Sequence, residues 1–149
     1  MKLARTWVLV ADGALAQLYK TEGPNRDLVA IEGGEISTEN LANREIDSDR
    51  PGQVHDRGGH GSRRMQPHTD SHRLAQNKFA HRLAEILQQA QQRDEYDELI
   101  IIAPPTALGN LRKALAPNVK KAVKAEVSKD LVHLDQKDLR SHLENVLRP

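Results

Sequence analysis

One run of six residues, Thr6 to Ala11 (TWVLVA), most constrains the fold of this chain. It is nearly continuous in apolar and β-branched side chains, which is typical of a central strand buried on both faces of a sheet. A second run, Glu98 to Ala103 (ELIIIA), has the same character, and Pro104-Pro105 ends it. The length of 149 residues is that of one domain, so we expect a single domain over residues 1–149.

The residues after the first strand predict two further strands. Asp12-Gly13 is a strong signal for a two-residue hairpin turn, and Ala14 to Lys20 alternates as a return strand. A second turn at Gly23-Pro24-Asn25 leads to a third extended stretch, Asp27 to Ile36, in which Gly33-Gly34 predicts a bulge. The chain is therefore predicted to open with a three-stranded antiparallel meander.

The second half alternates helices with strands. A helix from about Ser71 to Arg93 is predicted from one apolar face, with Thr69 or Asp70 as its N-cap. The predicted face consists of Phe79, Leu83, Ile86, Leu87 and Ala90, widened by Ala75, Ala80 and Ala84. A short helix capped by Thr106 follows, and Val119 to Val127 alternates as a strand, with helix as the competing interpretation.

The last helix is predicted from its capping residues. Asp135 is a good N-cap, and Leu134 and Leu139 occupy the positions of a hydrophobic staple. The predicted order is thus βββαβαβα. Strands that alternate with helices imply parallel crossovers, whereas the opening hairpins are antiparallel. We therefore predict an α/β fold with a mixed five-stranded sheet.

A polar segment at about residues 40–69 separates the meander from the first helix. Its stretch Arg50 to Arg64 (RPGQVHDRGGHGSRR) has Val54 as its only aliphatic side chain, so it has almost nothing to bury. Long loops of this kind are usually functional or disordered. Guanidinium groups suit phosphate, and glycines let backbone N–H groups approach an anion. The candidate phosphate- or nucleic-acid-binding residues are Arg50, Arg57, Gly58, Gly59, Gly61, Arg63 and Arg64. The alternative is a solvated loop that needs no packing.

Histidines are concentrated in the same region. His55, His60, His68 and His72 fall within eighteen residues. Their spacing matches no standard metal-ligand motif, so we predict neither a metal site nor a cofactor. A hydrolase or nuclease that uses His60 as general acid or base, with Asp56 nearby, is the enzymatic alternative.

Composition excludes several classes of function. The chain has no cysteine, which excludes disulfides, thiolate metal sites and cysteine nucleophiles. Its net charge is +1, so nucleic-acid binding needs a local basic patch. A set of lysines in the second half is interpreted as a solvated surface: Lys113, Lys120, Lys121, Lys124 and Lys129. The sequence shows neither a signal-peptide pattern nor a membrane-spanning stretch, which predicts a cytoplasmic protein.

Four short motifs resemble those of a bacterial family. They are Trp7 to Gly13, Ser48 to Gly52, Ala103-Pro104-Pro105 and Lys129-Asp130-Leu131. Together they resemble the host-attachment protein family, whose name reads "protein required for attachment to host cells". The similarity spans nearly the whole chain. Taken literally, the name implies a factor in attachment to a host cell, acting indirectly if the protein is not exported.

A more distant resemblance concerns the order of parts. The chain is similar to the middle domain of class-1 peptide release factors of eukaryotes and archaea. That domain opens with a strand, an Asp-Gly hairpin and a long loop ending in Arg-Gly-Gly-Gln. Here Arg57-Gly58-Gly59-His60 falls in the corresponding place, and His81-Arg82 lies on the following helix.

In the release factors the glycines admit the peptidyl-tRNA ester and the glutamine places a water. His60 stands in place of the glutamine, which argues against peptidyl-tRNA hydrolysis. The resemblance implies a ribonuclease H-like arrangement and a binding protein, not an enzyme, that contacts the ribosome, tRNA or other RNA. The oligomeric state is not predicted.

Overall fold

The computed structural model describes residues 4–22, 27–38 and 68–147, with the backbone alone described at 68–70 and 145–147. Nine elements lie within these residues: β1 (Thr6–Ala11), β2 (Leu15–Thr21), β3 (Val29–Ser37), α1 (His68–Gln92), β4 (Glu98–Ala103), α2 (Pro105–Ala114), α3 (Pro117–Ala122), β5 (Val123–Ser128) and α4 (Gln136–Leu147). The predicted segment between residues 40 and 67 lies outside the described residues.

The five strands form one mixed sheet in the order β3-β2-β1-β4-β5. β1 pairs antiparallel with β2, and β2 pairs antiparallel with β3. β1 also pairs in parallel with β4, with Val8 opposite Ile100, and β4 pairs in parallel with β5. The predicted mixed five-stranded sheet is therefore confirmed, and the apolar run of β1 is its central strand.

Helices cover both faces of the sheet. All six residues of β1 are buried. Leu9 lies in a cluster with Phe79 and Leu83 of α1, to which α2 and α3 also contribute. Val10 lies in the opposite cluster, which Leu139 of α4 completes. The lack of a polar face on β1 follows from this double coverage.

The hairpin between β1 and β2 is one residue longer than predicted. Its loop is Asp12–Ala14, because the Asp12 side chain organises the turn. Asp12 Oδ1 accepts hydrogen bonds from the N–H groups of Ala14 and Leu15, each at 2.8 Å. The Asp12 N–H in turn donates to the Leu15 carbonyl at 2.9 Å. This is an Asx-type turn, so the carboxylate of Asp12 has a structural role.

The predicted bulge in β3 is confirmed. Tyr19 pairs with Ala30 and Gln17 with Glu35, so residues 31–34 lie opposite Leu18 alone. Gly33 has a φ of 75°, in the left-handed region that glycine adopts without strain. The extra residues distort an edge strand of the sheet.

The predicted N-caps of two helices were wrong. α1 begins at His68, so Thr69 and Asp70 are helical and neither is the N-cap. α2 begins at Pro105, with Pro104 as N-cap and no side-chain hydrogen bond at the cap, so Thr106 does not cap it. Proline is favoured at the first helical position because its N–H is not needed there and its φ is already suitable.

The same effect explains why the predicted strand at Val119–Val127 is only half correct. Pro117 begins the short helix α3 and does not merely end α2. β5 begins only at Val123, so the strand and helix interpretations each hold for one part of the stretch. The observed order, βββαβααβα, therefore has one helix more than the predicted βββαβαβα. The Asp135 cap of α4 is confirmed, since its Oδ1 accepts from the Asp138 N–H at 2.9 Å.

Candidate functional site

The carboxyl ends of β1 and β4 define one edge of the sheet, which we call the carboxyl edge. β1 ends at Ala11 and β4 at Ala103, and the two strands are parallel. The turn Asp12–Ala14 and the start of α2 at Pro105 therefore lie at this edge. In open α/β sheets, ligands bind at the carboxyl ends of the strands, beside the point where chain connections diverge.

The described chain on either side of residues 39–67 contacts the β1–β2 hairpin at the carboxyl edge. On one side, Ser37 pairs with Leu15, and the Thr38 N–H donates to the Ala14 carbonyl at 2.9 Å. On the other side, Gln76 of α1 packs against Gly13, where an added Cβ would lie 2.6 Å from the Gln76 Nε2. Glycine at position 13 thus leaves room for the end of the Gln76 side chain.

α1 extends well past the core before it becomes buried. Its first buried side chain is Phe79, which is 2% exposed, whereas positions 71–78 are exposed except for the half-buried Gln76. The eleven residues His68 to Lys78, which we call the projecting part of α1, span about 16 Å at 1.5 Å per residue. The predicted burial of Ala75 was therefore wrong, because it lies before the helix reaches the sheet.

The stripe of α1 that faces the sheet changes from apolar to polar side chains at the carboxyl edge. Phe79 and Leu83 occupy this stripe within the core. At helical spacing the same stripe continues toward the N-terminus through Gln76, Arg73 and His72, which are all polar. Gln76 Nε2 lies 3.2 Å from His72 Nε2. The chain thus replaces apolar contacts with hydrogen-bonding groups at the point where the sheet ends.

A narrow crevice lies between the hairpin, α1 and α2. Its polar lining groups are Asp12, Gln76 and Asn110, with apolar side chains behind them. Asp12 Oδ1 is already used by the turn. Among the described residues, no group of three or more His, Cys, Asp or Glu side chains is placed to hold a metal ion. The crevice encloses only about 10 Å³, which is roughly the space of one water, so its amide side chains can hydrogen-bond a water but not a larger ligand.

The opposite edge of the sheet, at the amino ends of β1 and β4, is held by side-chain contacts. We call it the amino edge. Arg5 bonds Asp97 through Nε (3.2 Å) and Nη2 (2.9 Å), and bonds Asp94 through both its carbonyl (2.6 Å) and Oδ1 (2.9 Å). These hydrogen bonds, first that with Asp97 and then that with Asp94, raise the pKa of the Arg5 guanidinium above its ordinary value.

Aromatic contacts complete the amino edge. The rings of Trp7 and Tyr96 lie 5.1 Å apart. The Tyr96 hydroxyl donates to the Leu87 carbonyl at 2.9 Å, and burial raises the pKa of Tyr96 to about 12. Gln91 of α1 donates to the Asn118 carbonyl at 2.8 Å. Together these contacts join β1, α1 and the segment that leads into β4.

The candidate residues predicted from sequence lie outside the described part of the chain. They are Arg50, Asp56, Arg57, Gly58, Gly59, His60, Gly61, Arg63 and Arg64. Their roles remain predictions. On the following helix, His81 is exposed and Arg82 forms an ion pair with Glu85 at 3.2 Å.

The structure adds residues that sequence reasoning missed. Gln76 and Asn110 meet at the crevice only because α1 and α2 pack side by side, and neither belongs to a recognisable motif. The signal that was available is the loss of apolar residues from the inward stripe of α1 before Phe79. Of the five lysines interpreted as a solvated surface, Lys120 and Lys121 are exposed on α3, and Lys124 lies 3.8 Å from Glu98.

Comparison with known proteins identifies the family. No helix in the described residues has the length and apolar character to cross a membrane. No curated protein matches the sequence. The family model described as "protein required for attachment to host cells" matches residues 7–143, from β1 into α4. The chain therefore belongs to this host-attachment family.

Proposed function

We propose that this chain is a non-enzymatic binding protein that contacts RNA or the ribosome through the stretch Arg50 to Arg64, with Arg57-Gly58-Gly59-His60 at its centre. One observation carries the proposal. The Thr38 N–H bonds the Ala14 carbonyl and Gln76 of α1 packs on Gly13, so the chain on both sides of residues 39–67 contacts the hairpin at the carboxyl edge. That edge is where α/β sheets of this kind hold their ligands.

The charge of the segment supports an anionic partner. Residues 50–64 contain four arginines and one acid, Asp56, which gives a local charge of +3 against +1 for the whole chain. Phosphate contacts are made by such local concentrations of guanidinium groups, which hold phosphate through paired N–H donors. Glycines beside them allow the backbone N–H groups to approach the same anion.

The strand order supports the proposed relation to release-factor middle domains and to a ribonuclease H-like arrangement. The order is β3-β2-β1-β4-β5, and only β2 runs against the other strands. The long segment follows the β1–β2 hairpin and β3 and precedes a long helix, as in the proposed relatives. This part of the proposal is an analogy of fold, so the RNA contact itself has to be tested at the segment.

The family description fits this proposal if the effect on attachment is indirect. A protein that contacts RNA or ribosomes alters the amounts of other proteins, including those that bind a host. In this reading, a deletion strain attaches poorly to host cells while the protein itself stays with the ribosomal fraction.

Co-sedimentation with ribosomes tests the proposal. We expect replacement of Arg57, Arg63 and Arg64 with alanine to release the protein from the ribosomal pellet, because three phosphate contacts are lost. The salt dependence of binding to purified RNA should fall by about 2–3 in the slope of log K against log salt. Replacement of Lys113, Lys120 and Lys121 with alanine is the matched control, since it removes the same charge elsewhere. Equal pelleting of the arginine variant and the unaltered protein would contradict the proposal.

The same proteins distinguish the enzymatic alternative. RNA or ester cleavage that is lost in His60→Ala and Asp56→Asn, and retained in the arginine variant, would instead assign a hydrolase or nuclease. General acid–base catalysis depends on these two side chains, whereas binding depends on the arginines.

A further inference from the structure

We propose that the start of β3 and the adjoining side of α4 form a docking site for a short extended peptide of another protein, which pairs with β3 as an added strand. β3 is an edge strand, so only β2 pairs with it in the sheet. Edge strands bind peptides through main-chain hydrogen bonds, and pockets beside the strand select alternate side chains. The site is independent of the RNA contact proposed above.

A cleft lies on each face of the sheet beside the start of β3. On the face covered by α1, a cleft of about 470 Å³ is lined by residues that include Trp7, Lys20 and Val29. These three form one row across the sheet, because Lys20 pairs with Trp7 on one side and with Val29 on the other. On the face covered by α4, a cleft of about 670 Å³ lies between residues 27–30 and the helix. Asp27 and Val29 line both clefts, so the strand runs between them.

The burial of this row decreases toward β3. Leu99 of β4 and Trp7 of β1 are 0% and 8% exposed, whereas Val29 at the other end of the row is 50% exposed. Val29 and Leu74 are the large apolar side chains that are exposed among the described residues. In an added strand, the residue opposite Val29 places its Cβ about 5 Å away, which is close enough for apolar contact.

The regular part of this edge is short. Residues 29–30 pair regularly with β2, and the bulge follows at residues 31–34. Before them, the Leu28 carbonyl accepts a hydrogen bond from Gln136 Nε2 of α4 at 2.8 Å. The backbone that remains for an added strand therefore suits a short peptide better than the full edge of a second copy of this chain.

The side chains of α4 that line the second cleft indicate the charge of the peptide. They include Lys137, Arg140 and Ser141, which are three and four residues apart and so lie side by side on the helix. Lys137 has no ion-pair partner among the described residues. Cations and a hydroxyl beside an edge strand suit an acidic side chain, while Val29 on the other face suits an apolar one. The peptide that fits is an extended segment in which acidic and apolar residues alternate.

Selection from a phage-displayed library of random decapeptides tests the inference on the full chain. We expect the selected peptides to alternate acidic and apolar residues, and to protect the amides at the start of β3 from hydrogen exchange. Val29→Ala should weaken their binding by about three- to fivefold in fluorescence anisotropy, because one cross-strand apolar contact is lost. Leu74→Ala is the matched control, since it truncates the other exposed apolar side chain, and it should bind like the unaltered chain.

A charge exchange tests the contact with α4. Lys137→Glu should weaken the binding of an acidic selected peptide by about tenfold, because like charges then face each other. Replacing the acid of the peptide with lysine should recover the affinity for this variant. Lys120→Glu, which changes an exposed lysine of α3, is the matched control and should leave binding unchanged. Thermal unfolding followed by circular dichroism confirms that all variants are folded.

Several results would overturn the inference. One is that no peptide is enriched over the support without protein. Another is that the selected peptides bind Val29→Ala and Lys137→Glu as tightly as the unaltered chain, or protect a different element from exchange. If sedimentation velocity shows a dimer that Val29→Ala converts to a monomer, the occupant is a second copy and not a peptide of another protein.

Discussion

The two edges of this sheet are built differently, although the same strands end at both. At the amino edge, Arg5 bridges two aspartates, Trp7 packs on Tyr96, and Tyr96 bonds to α1. At the carboxyl edge, the described contacts are a short turn organised by Asp12 and one close approach at Gly13. The amino edge joins distant parts of the chain to one another. The carboxyl edge leaves polar side chains exposed beside the ends of the long segment.

This difference shows where the described side-chain contacts that stabilise the sheet are concentrated, which is at the amino edge. The comparison predicts that the largest loss of stability follows a change at the amino edge.

The largest expected effect is at Trp7. Trp7 is 8% exposed and packs in the main core cluster, so Trp7→Ala should lower the free energy of unfolding by about 3–5 kcal/mol. Leu74→Ala on the projecting part of α1 is the matched control and should change it by less than about 0.5 kcal/mol. Urea unfolding followed by circular dichroism measures both, and similar losses in the two variants would remove the distinction between the edges.

An intermediate effect is expected at the Asp12 turn. Asp12→Ala removes the acceptor of two backbone N–H groups, which by analogy with helix caps costs about 1 kcal/mol. Asp12→Asn keeps an acceptor oxygen and should recover most of that loss. The same urea experiment checks this, and an asparagine variant as unstable as the alanine variant would show that the carboxylate has a further role.

An effect of similar size is expected at Tyr96 near neutral pH. Tyr96→Phe loses the hydrogen bond to the Leu87 carbonyl, which costs about 0.5–1.5 kcal/mol. The dependence on alkaline pH is more diagnostic. The pKa of Tyr96 rises to about 12 through burial, against about 10 for an exposed tyrosine. The folded protein therefore keeps its proton where the unfolded chain has lost it, and stability falls as pH rises from about 10 through 12.

Tyr96→Phe removes this titrating group and should flatten the fall in stability at high pH. Tyr19 leaves a residual slope, because burial and then the charge of Asp135 also raise its pKa. Thermal unfolding measured at several pH values checks the change. An equally steep fall in the phenylalanine variant would mean that Tyr96 titrates as an exposed residue.

The sequence predicted the elements that depend on continuous apolar runs or local caps. β1 and β4 have the predicted bounds because each is a continuous apolar run after its first residue. The Asp135 cap was also predictable, since capping acts over three residues. α3 was missed because its proline can end one helix or begin another, and sequence alone does not choose.

The arrangement of the two edges was not predictable. Arg5 and Asp97 are 92 residues apart in sequence, so only the parallel pairing of β1 with β4 brings them together. The meeting of Gln76 with Gly13 likewise depends on how α1 packs on the hairpin. The glycines, arginines and histidine of the long segment lie outside the described residues, so their predicted roles in binding or catalysis stay predictions.

The irregular register of β3 has a consequence for how this protein meets other molecules. β3 borders the sheet on one side, where its bulge interrupts the ladder, and β5 borders it on the other, with a shift in register after Leu99. A strand of another chain pairs with a sheet through the unpaired N–H and C=O groups of a flat, regular edge strand. Neither edge strand is regular over its full length, so edge-to-edge pairing of copies into fibres is disfavoured. The ends of the strands, where turns and helices supply the side chains, are the other borders of the sheet.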